Sequence, residues 1–378
     1  LFAVMASCAR RPAPPAPYLA FVVCQGTNSV AVVNLAEMRV VASLAVSPGP
    51  EEAHLRPGGE EIYVSSPTGI DRIRVRDFQV RLNDRSDTRG RSLVFSPNGQ
   101  TAYYLLESEP QPVPEPGIVS EPPVAGVSHI GFMDTRTGKE VGPLGLRGGL
   151  SRLAITADGR TLLASDPLAS ALHFFDAASR KHLGAVAIGA GAGPIAIQPI
   201  GSKAFVSNTG EEKVSVVDTG TRQVLAHIEL GMRPGSLLLK PDGGELFVLC
   251  PGASMLAIVD AFHDNVSQNI PTGRGPAAAV SRRDSSLLYV ANAGDGSVTT
   301  LDVQNRVVVA STQVGKEPRA LALTPDERFL VVADAATASL AVMFAEPERM
   351  AKMRSALVTT IPVGAGPVDV VVPDWLRE

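Results

Sequence analysis

The feature that most constrains the fold is a unit of about 42 residues that recurs along the chain. The stretch YVANAGDGSVTTLDVQ begins at Tyr289, and similar stretches begin at Phe21, Phe205 and Phe247. A repeat of this length is typical of a four-stranded propeller blade. The aligned strand starts are 42 residues apart except for steps of 40 and 60, and they are Phe21, Tyr63, Tyr103, Leu163, Phe205, Phe247, Tyr289 and Val331.

Each unit contains four strand-like runs, which in the clearest copy read RALALTP, RFLVVAD, SLAVMF and VTTIPVG. The first unit, from Leu19 to Val46, contains only three runs, and the segment from Pro367 to Trp375 is an isolated first strand. We expect the two ends of the chain to complete one shared blade, because this closure hides both sheet edges. The predicted fold is an all-β propeller of four-stranded blades, eight by the repeat count, with seven as the alternative.

Composition and motifs argue against several classes of function. Hydrophobic residues make up 45% of the chain and aromatic residues only 5%, so the core is expected to be aliphatic. A net charge of −4 gives no general polyanion-binding signature, and nucleic acid is therefore an unlikely partner. The six histidines show no metal-ligand spacing, and no phosphate-binding loop, dinucleotide fingerprint or nucleophile elbow is present. We expect no metal, cofactor or catalytic residue from these motifs, although a propeller can assemble a site from several blades.

The run YVANAGDGSVTTLDV, followed by VGKEPRALALTPDERFLVVAD, resembles the YVTN-repeat β-propellers of bacteria and archaea, which include surface-layer and periplasmic YncE-like proteins. The resemblance covers residues 18–375 and implies a propeller, most often one of seven blades. It implies little about function, because the matching residues form turns and core.

Basic side chains concentrate in the loops that are expected on one face, which we call the upper face. This face carries the connections from the fourth strand of one blade to the first strand of the next, and those from second to third strands. Converging arginines in a concave site attract carboxylates or phosphates, whereas the alternative is a set of solvated turn residues. The predicted ligand or partner site comprises Arg91, Arg152, Arg233, Arg274 and Arg319, with Glu51, Glu52 and Asp369.

Two insertions interrupt the repeat. Residues 107–127 are rich in proline and glutamate, and we expect an extended arm on the upper face that docks a partner, or else a tolerated surface loop. The arm residues proposed for partner contact are Glu109, Pro112, Pro114, Glu115 and Pro116. Residues 345–356 predict one short helix whose apolar side packs on its blade.

Residues 1–17 form a separate segment, and residues 18–378 are expected to form one domain. The apolar run that ends in Met5-Ala6-Ser7-Cys8 resembles a lipoprotein signal, which implies lipidation of Cys8 and a membrane anchor. Met5 departs from the usual leucine of that signal, and an ordinary signal remnant or an apolar end is the alternative. We expect an exported protein, either periplasmic or at the cell surface.

Cys24 and Cys250 occupy the same repeat position in blades three apart, which is too far for a disulfide. Two free, buried thiols are therefore expected.

For function, the sequence favours a non-catalytic binding or scaffold propeller of the cell envelope that presents its upper face to a protein partner or a small anionic ligand. It could serve as an accessory subunit of an extracytoplasmic complex. The alternative is a propeller enzyme of lactonase or quinoprotein type with a site in the central channel.

Overall fold

Eight four-stranded antiparallel sheets form the protein, and they correspond to the eight repeats counted in the sequence. The computed structural model describes residues 18–82, 89–107, 127–346 and 356–374, and for residues 89–91, 107, 127 and 147 it describes the backbone alone. Seven sheets are continuous in sequence and one is made from both ends of the chain. The protein is an eight-bladed β-propeller, as the repeat count predicts.

The first four blades are formed by strands β1 to β15. Blade 1 contains β1 (Leu19–Cys24), β2 (Ser29–Asn34) and β3 (Arg39–Ala45), and blade 2 contains β4 (Glu52–Leu55), β5 (Glu61–Ser66), β6 (Gly69–Arg74) and β7 (Val80–Arg81). Blade 3 contains β8 (Arg89–Phe95), β9 (Thr101–Glu107), β10 (Val127–Asp134) and β11 (Glu140–Arg147). Blade 4 contains β12 (Arg152–Ile155), β13 (Thr161–Asp166), β14 (Ala171–Asp176) and β15 (Lys181–Ala187).

The remaining strands follow the same order. Blade 5 contains β16 (Ala192–Ile197), β17 (Lys203–Asn208), β18 (Lys213–Asp218) and β19 (Gln223–Glu229), and blade 6 contains β20 (Leu237–Leu239), β21 (Glu245–Cys250), β22 (Met255–Asp260) and β23 (Asn265–Pro271). Blade 7 contains β24 (Pro276–Ser281), β25 (Leu287–Asn292), β26 (Ser297–Asp302) and β27 (Val307–Gln313). Blade 8 contains β28 (Pro318–Leu323), β29 (Phe329–Asp334), β30 (Ser339–Phe344) and β31 (Leu357–Pro362), and β32 (Pro367–Val371) returns to blade 1.

Strand β32 closes the ring. It pairs antiparallel with β1, with Phe21 opposite Val371 and Val23 opposite Asp369. The first blade therefore has the order β3-β2-β1-β32, in which the innermost strand comes from the other end of the chain. This arrangement confirms the predicted closure by a C-terminal strand.

Packing between blades explains why the second and third strands are apolar on both faces. Eight clusters of buried hydrophobic residues are present in the described part of the chain, and each one joins two neighbouring blades. Phe205 and Phe247 are completely buried in two of these clusters. Blades 8 and 1 share a cluster that includes Val331, Val22 and Val370. The hydrophobic effect therefore acts across each blade interface rather than in one central core.

The outer strands carry a repeated irregularity. In seven blades, the register between the third and fourth strands shifts at one position, which places an extra residue in the outer strand. In blades 1, 4, 5, 7 and 8, the extra residue is an exposed aliphatic side chain. A bulge twists an edge strand and makes it a poor template for pairing with another sheet. These extra residues are Val41, Leu183, Leu225, Val309 and Val358.

The described part of the chain is almost entirely strand and turn. Two short 3-10 turns follow β1 and β21, at Gln25–Thr27 and Pro251–Ala253. Among the described residues, no helix has the length and apolar character that crossing a membrane requires. The helix expected within residues 345–356, and most of the arm expected at 107–127, lie outside the described residues.

Candidate functional site

The first strand of each blade borders the central channel, and the upper ends of these strands form its upper mouth. Four polar side chains from three blades gather here. Strand β4 of blade 2 supplies two of them, and β12 of blade 4 and β32 of blade 1 supply one each. We call this group the upper cluster, and its members are Glu52, His54, Arg152 and Asp369.

Strand alternation places Glu52 and His54 side by side. The two residues are separated by one position in β4, so both point away from Ala53, which is buried against blade 1. The Nε2 atom of His54 lies 3.2 Å from Oε2 of Glu52. The carboxylate therefore orients the imidazole ring, as carboxylates commonly do for functional histidines.

Arg152 approaches the same carboxylate from the far side of blade 3. Its guanidinium nitrogen lies 3.7 Å from Oε1 of Glu52, and 47% of the arginine side chain is exposed. The ion pair is loose, and the exposed part of the side chain is accessible to a ligand. An arginine in this position can bind two oxygens of an incoming carboxylate or phosphate.

Asp369 is held at the boundary between blades 1 and 2. Its Oδ2 atom accepts a hydrogen bond of 2.8 Å from the backbone N–H of Ala53, which lies between Glu52 and His54. Burial raises the pKa of the Asp369 carboxyl to about 6, and nearby Glu52 acts in the same direction, whereas the Ala53 N–H and His54 act against it. The pKa of this carboxyl therefore lies much nearer to neutral pH than that of an ordinary aspartate.

The upper cluster can perform two kinds of chemistry. Arg152 can bind an anion, and a protonated Asp369 can add a hydrogen bond to it. An imidazole oriented by Glu52 and a carboxyl with a raised pKa can also transfer protons. Among the described residues, no three His, Cys, Asp or Glu side chains are arranged to hold a metal ion.

A cavity of about 370 Å³ adjoins Arg152 between blades 3, 4 and 5. Its hydroxyl groups are engaged within the protein: Ser128 donates to the Gly148 carbonyl at 2.7 Å, and Thr209 donates to the Gly191 carbonyl at 2.9 Å. The surface presented to a ligand is therefore mixed, with apolar and polar parts of similar extent and Arg152 among the lining residues. The apolar lining residues are Leu105, Leu106, Leu150, Pro167, Ala192 and Pro194.

The structure places the other residues of the predicted site as follows. Arg233 is exposed before β20, the backbone N–H of Arg274 donates to Asp295 before β24, and Arg319 forms an ion pair with Glu317 at the start of β28. The backbone N–H of Glu51 donates to the Ser65 carbonyl, and Arg91 has a described backbone only. The structure thus brings Glu52, Arg152 and Asp369 together and spreads the others around the same face. The arm residues Glu109, Pro112, Pro114, Glu115 and Pro116, and also Cys8, lie outside the described residues.

Sequence reasoning missed His54, because the histidines share no repeat position. The signal that could have found it is its spacing of two residues from Glu52 on an inner strand. The two cysteines behave as expected, since Cys24 and Cys250 are both free and buried.

Comparisons with known proteins support the propeller and give no single activity. A family model described as "Lactonase, 7-bladed beta-propeller" matches residues 253–370, which is 118 of the 378 residues. The matched segment contains Asp369 but not the other three members of the upper cluster. The comparison with curated proteins gives no match.

Solved structures of similar fold come from several contexts. A dihydro-heme d1 dehydrogenase, NirN, in complex with DHE has a TM-score of 0.75 at 14% identity, over 97% of this chain and 77% of that chain. Hydrazine synthase of Kuenenia stuttgartiensis has a TM-score of 0.55 at 19% identity, over 74% of this chain and 88% of that chain. A functionally unknown protein from Desulfotomaculum acetoxidans DSM 771 has a TM-score of 0.57 at 12% identity, over 94% and 99% respectively. At these identities, the likeness shows that this chain belongs to the β-propeller class.

Proposed function

We propose that this propeller is a binding protein that holds a carboxylate-bearing organic anion of the tetrapyrrole class at its upper mouth. The observation that carries the proposal is the Arg152 guanidinium, which stands 3.7 Å from Glu52 and next to a cavity with a partly apolar lining. A tetrapyrrole combines a large apolar ring with carboxylate side chains. Arg152 and the cavity offer the matching donor and apolar surface.

The structural neighbour named for acting on dihydro-heme d1 supports this class of ligand. That protein shares the propeller fold over 97% of this chain. Below about pH 6, Asp369 is mostly protonated, and its neutral carboxyl can then donate a hydrogen bond to the ligand and removes one negative charge from the mouth. The upper cluster then carries one Arg and one Glu charge instead of an excess of carboxylates.

The proposal is tested by titrating the purified protein with iron protoporphyrin IX and with dihydro-heme d1 while recording their absorption spectra. We expect saturable spectral changes, and Arg152→Gln should weaken binding about tenfold, which is typical for the loss of one charge-assisted hydrogen bond. Arg160→Gln is the matched control, because Arg160 is 84% exposed on the lower face. Unchanged spectra with both tetrapyrroles would refute the proposal.

A second candidate is a propeller enzyme that uses the upper cluster for acid–base chemistry. The specific observation in its favour is the His54 ring oriented by Glu52, next to a carboxyl whose pKa is raised to about 6. In this case, His54 acts as the base and Asp369 as the acid. The two candidates are separated by His54→Gln: an enzyme loses turnover of a lactone or of dihydro-heme d1 by at least a hundredfold, whereas a binding protein shows no turnover in either form.

We further propose that the protein is exported, carries a lipid on Cys8 and meets a protein partner through the segment 107–127. The support is the lipoprotein-like run before Cys8 and the proline- and glutamate-rich composition of the segment. Mass spectrometry of the membrane fraction tests the lipid, with Cys8→Ser as the control. Crosslinking in intact cells, with and without residues 108–126, tests the partner.

A further inference from the structure

The lower face carries a second cavity, which the upper cluster does not reach. It has a volume of about 630 Å³ and lies below blades 2 and 3. Four arginines and three acidic residues line it, namely Arg56, Arg74, Arg76, Arg136, Glu60, Glu61 and Asp374. Two of the acids already have basic partners, since Asp374 pairs with Arg283 at 2.9 Å and Glu61 with Arg56 at 3.4 Å.

The turn next to this cavity departs from the corresponding turns of other blades. In blades 3, 4, 6, 7 and 8, an Asn or Asp side chain accepts a hydrogen bond from the backbone N–H two residues later, at 2.9–3.1 Å. These side chains are Asn98, Asp158, Asp242, Asp284 and Asp326. In blade 2 the same position is Gly58, so the N–H of Glu60 has no side-chain acceptor among the described residues.

The basic residue of the blade 2 turn also lacks the turn carboxylate that its counterparts contact. In blade 6, Lys240 lies 3.2 Å from Asp242, and in blade 7 Arg282 lies 3.9 Å from Asp284. Each of these two basic residues also contacts a second carboxylate, Glu245 or Glu327. Arg56 occupies the corresponding position in blade 2, where Gly58 offers no carboxylate, and it contacts Glu61 at 3.4 Å and the Gly99 carbonyl at 2.9 Å. Blade 5 also lacks the acidic residue, but its turn has the neutral Gln198 in place of the basic one.

The space that the missing side chain would fill is open to the cavity. A Cβ atom built on Gly58 would meet nothing within 4 Å, and Gly58 adopts a φ of +102°. Arg136 forms no ion pair with a described residue, and Arg76 is 74% exposed with its nearest acid, Asp77, at 3.9 Å. The Glu60 N–H and Arg56 therefore border a place that an aspartate side chain occupies in blades 4, 6, 7 and 8, in a cavity that Arg76 and Arg136 also line.

We propose that this cavity is a second binding site, which takes a carboxylate from outside the chain in place of the absent turn carboxylate. The carboxylate accepts the hydrogen bond of the Glu60 N–H and pairs with Arg56, and Arg136 and Arg76 bind further acidic groups of the same ligand. Two sources have this chemistry: a free polycarboxylate, and an acidic segment of a partner protein. The volume is within the range of sites for small organic molecules.

Isothermal titration calorimetry with citrate and with the peptide acetyl-Glu-Glu-Glu-amide tests the proposal on the whole protein. We expect saturable binding of at least one probe, weakened tenfold or more by Arg136→Gln and by Gly58→Asp, which restores the internal carboxylate. Arg160→Gln, the matched control on the same face, should leave the affinity within twofold. Arg152→Gln should leave it unchanged, which separates this site from the upper mouth.

The relative affinities for citrate and for the peptide distinguish the two sources of the carboxylate. Tighter binding of citrate supports a free polycarboxylate as the ligand, and tighter binding of the peptide supports an acidic protein segment. Absence of binding by both probes overturns the proposal, and so does binding that Arg136→Gln and Arg160→Gln weaken equally. Because Asp is strained at the φ of Gly58, circular dichroism checks the fold of Gly58→Asp, and Arg136→Gln decides the question if that variant misfolds.

Discussion

The carboxylate of Asp369 accepts a hydrogen bond of 2.8 Å from the backbone N–H of Ala53, although the two residues lie at opposite ends of the chain. The contact joins the innermost strands of blades 1 and 2, which otherwise share no backbone ladder. A related bond joins blades 3 and 4, where the Leu153 N–H donates to the Ser92 hydroxyl at 2.8 Å. The Asp369 bond thus both fixes the strand that carries Glu52 and His54 and places a carboxyl with a raised pKa beside them.

Asp369→Asn should change how stability depends on pH. The folded-state pKa of about 6 is raised above the usual value of 3.8, so the folded state holds this proton more tightly than the unfolded state does. The stabilisation by this proton is full below about pH 4 and is lost as the pH rises through about 6. We expect the free energy of unfolding at pH 8 to be higher for the variant than for the wild type, by about 1–3 kcal/mol. Urea unfolding at pH 5 and pH 8 measures the difference, and a wild-type advantage that grows with pH would contradict it.

His173 should give a pH dependence of the opposite sign. The residue is 8% exposed, and burial, followed by nearby His182, lowers its pKa below 6.5, while Asp166 acts in the other direction. A lowered histidine pKa means that the unfolded state binds the proton more tightly, so stability falls as the pH drops below 6.5. In His173→Phe, unfolding at pH 5 and pH 7 should show a smaller loss towards acid than in the wild type. An unchanged pH dependence of the free energy of unfolding would show that other groups determine the loss of stability in acid.

Tyr289→Phe should destabilise the protein without altering its shape. The Tyr289 hydroxyl is fully buried and donates to the Ala345 carbonyl between blades 7 and 8. Removing the hydroxyl leaves a buried carbonyl without this donor, which costs about 1–3 kcal/mol. Tyr63→Phe is a matched comparison, because the Tyr63 hydroxyl makes a longer bond of 3.3 Å to the Thr135 carbonyl. Denaturant unfolding should rank Tyr289→Phe as the more destabilised of the two.

The buried thiols should be inert in the native state. Burial raises the pKa of the Cys250 thiol to about 11, and it also raises the pKa of the Cys24 thiol. Since the thiolate is the reactive form, a disulfide reagent at pH 8 should label neither residue in a folded Cys8→Ser variant. The same reagent in 6 M guanidinium should label both. Rapid labelling of the folded variant would contradict the observed burial.

Most of the fold could be predicted because each blade has the same local sequence pattern of strands and turns. The spacing between Phe205, Phe247 and Tyr289 indicated the blade length, and the isolated run after Pro367 indicated the closure. Such patterns arise because each blade buries the same positions against its neighbours. The number of blades followed from counting these units.

The candidate site could be predicted only in part. Glu52, Arg152 and Asp369 were accessible because strand order assigns each of them to the upper face. His54 was not, because its role depends on a 3.2 Å approach to Glu52 and on Asp369 from the far end of the chain. The lower cavity was missed for a related reason: its signal is the absence of an acidic side chain at Gly58, which has meaning only when the turns are superimposed.

The split blade also determines the order in which the molecule can be completed. Residue Val23 finds its partner Asp369 only after 345 intervening residues have been made, as their numbers imply. Until then, the growing chain exposes the unpaired edge of β1 and the uncovered apolar face of its most recent blade. Strand β32 therefore completes the whole ring, and a chain that ends before it is an open arc whose exposed strand edges favour aggregation.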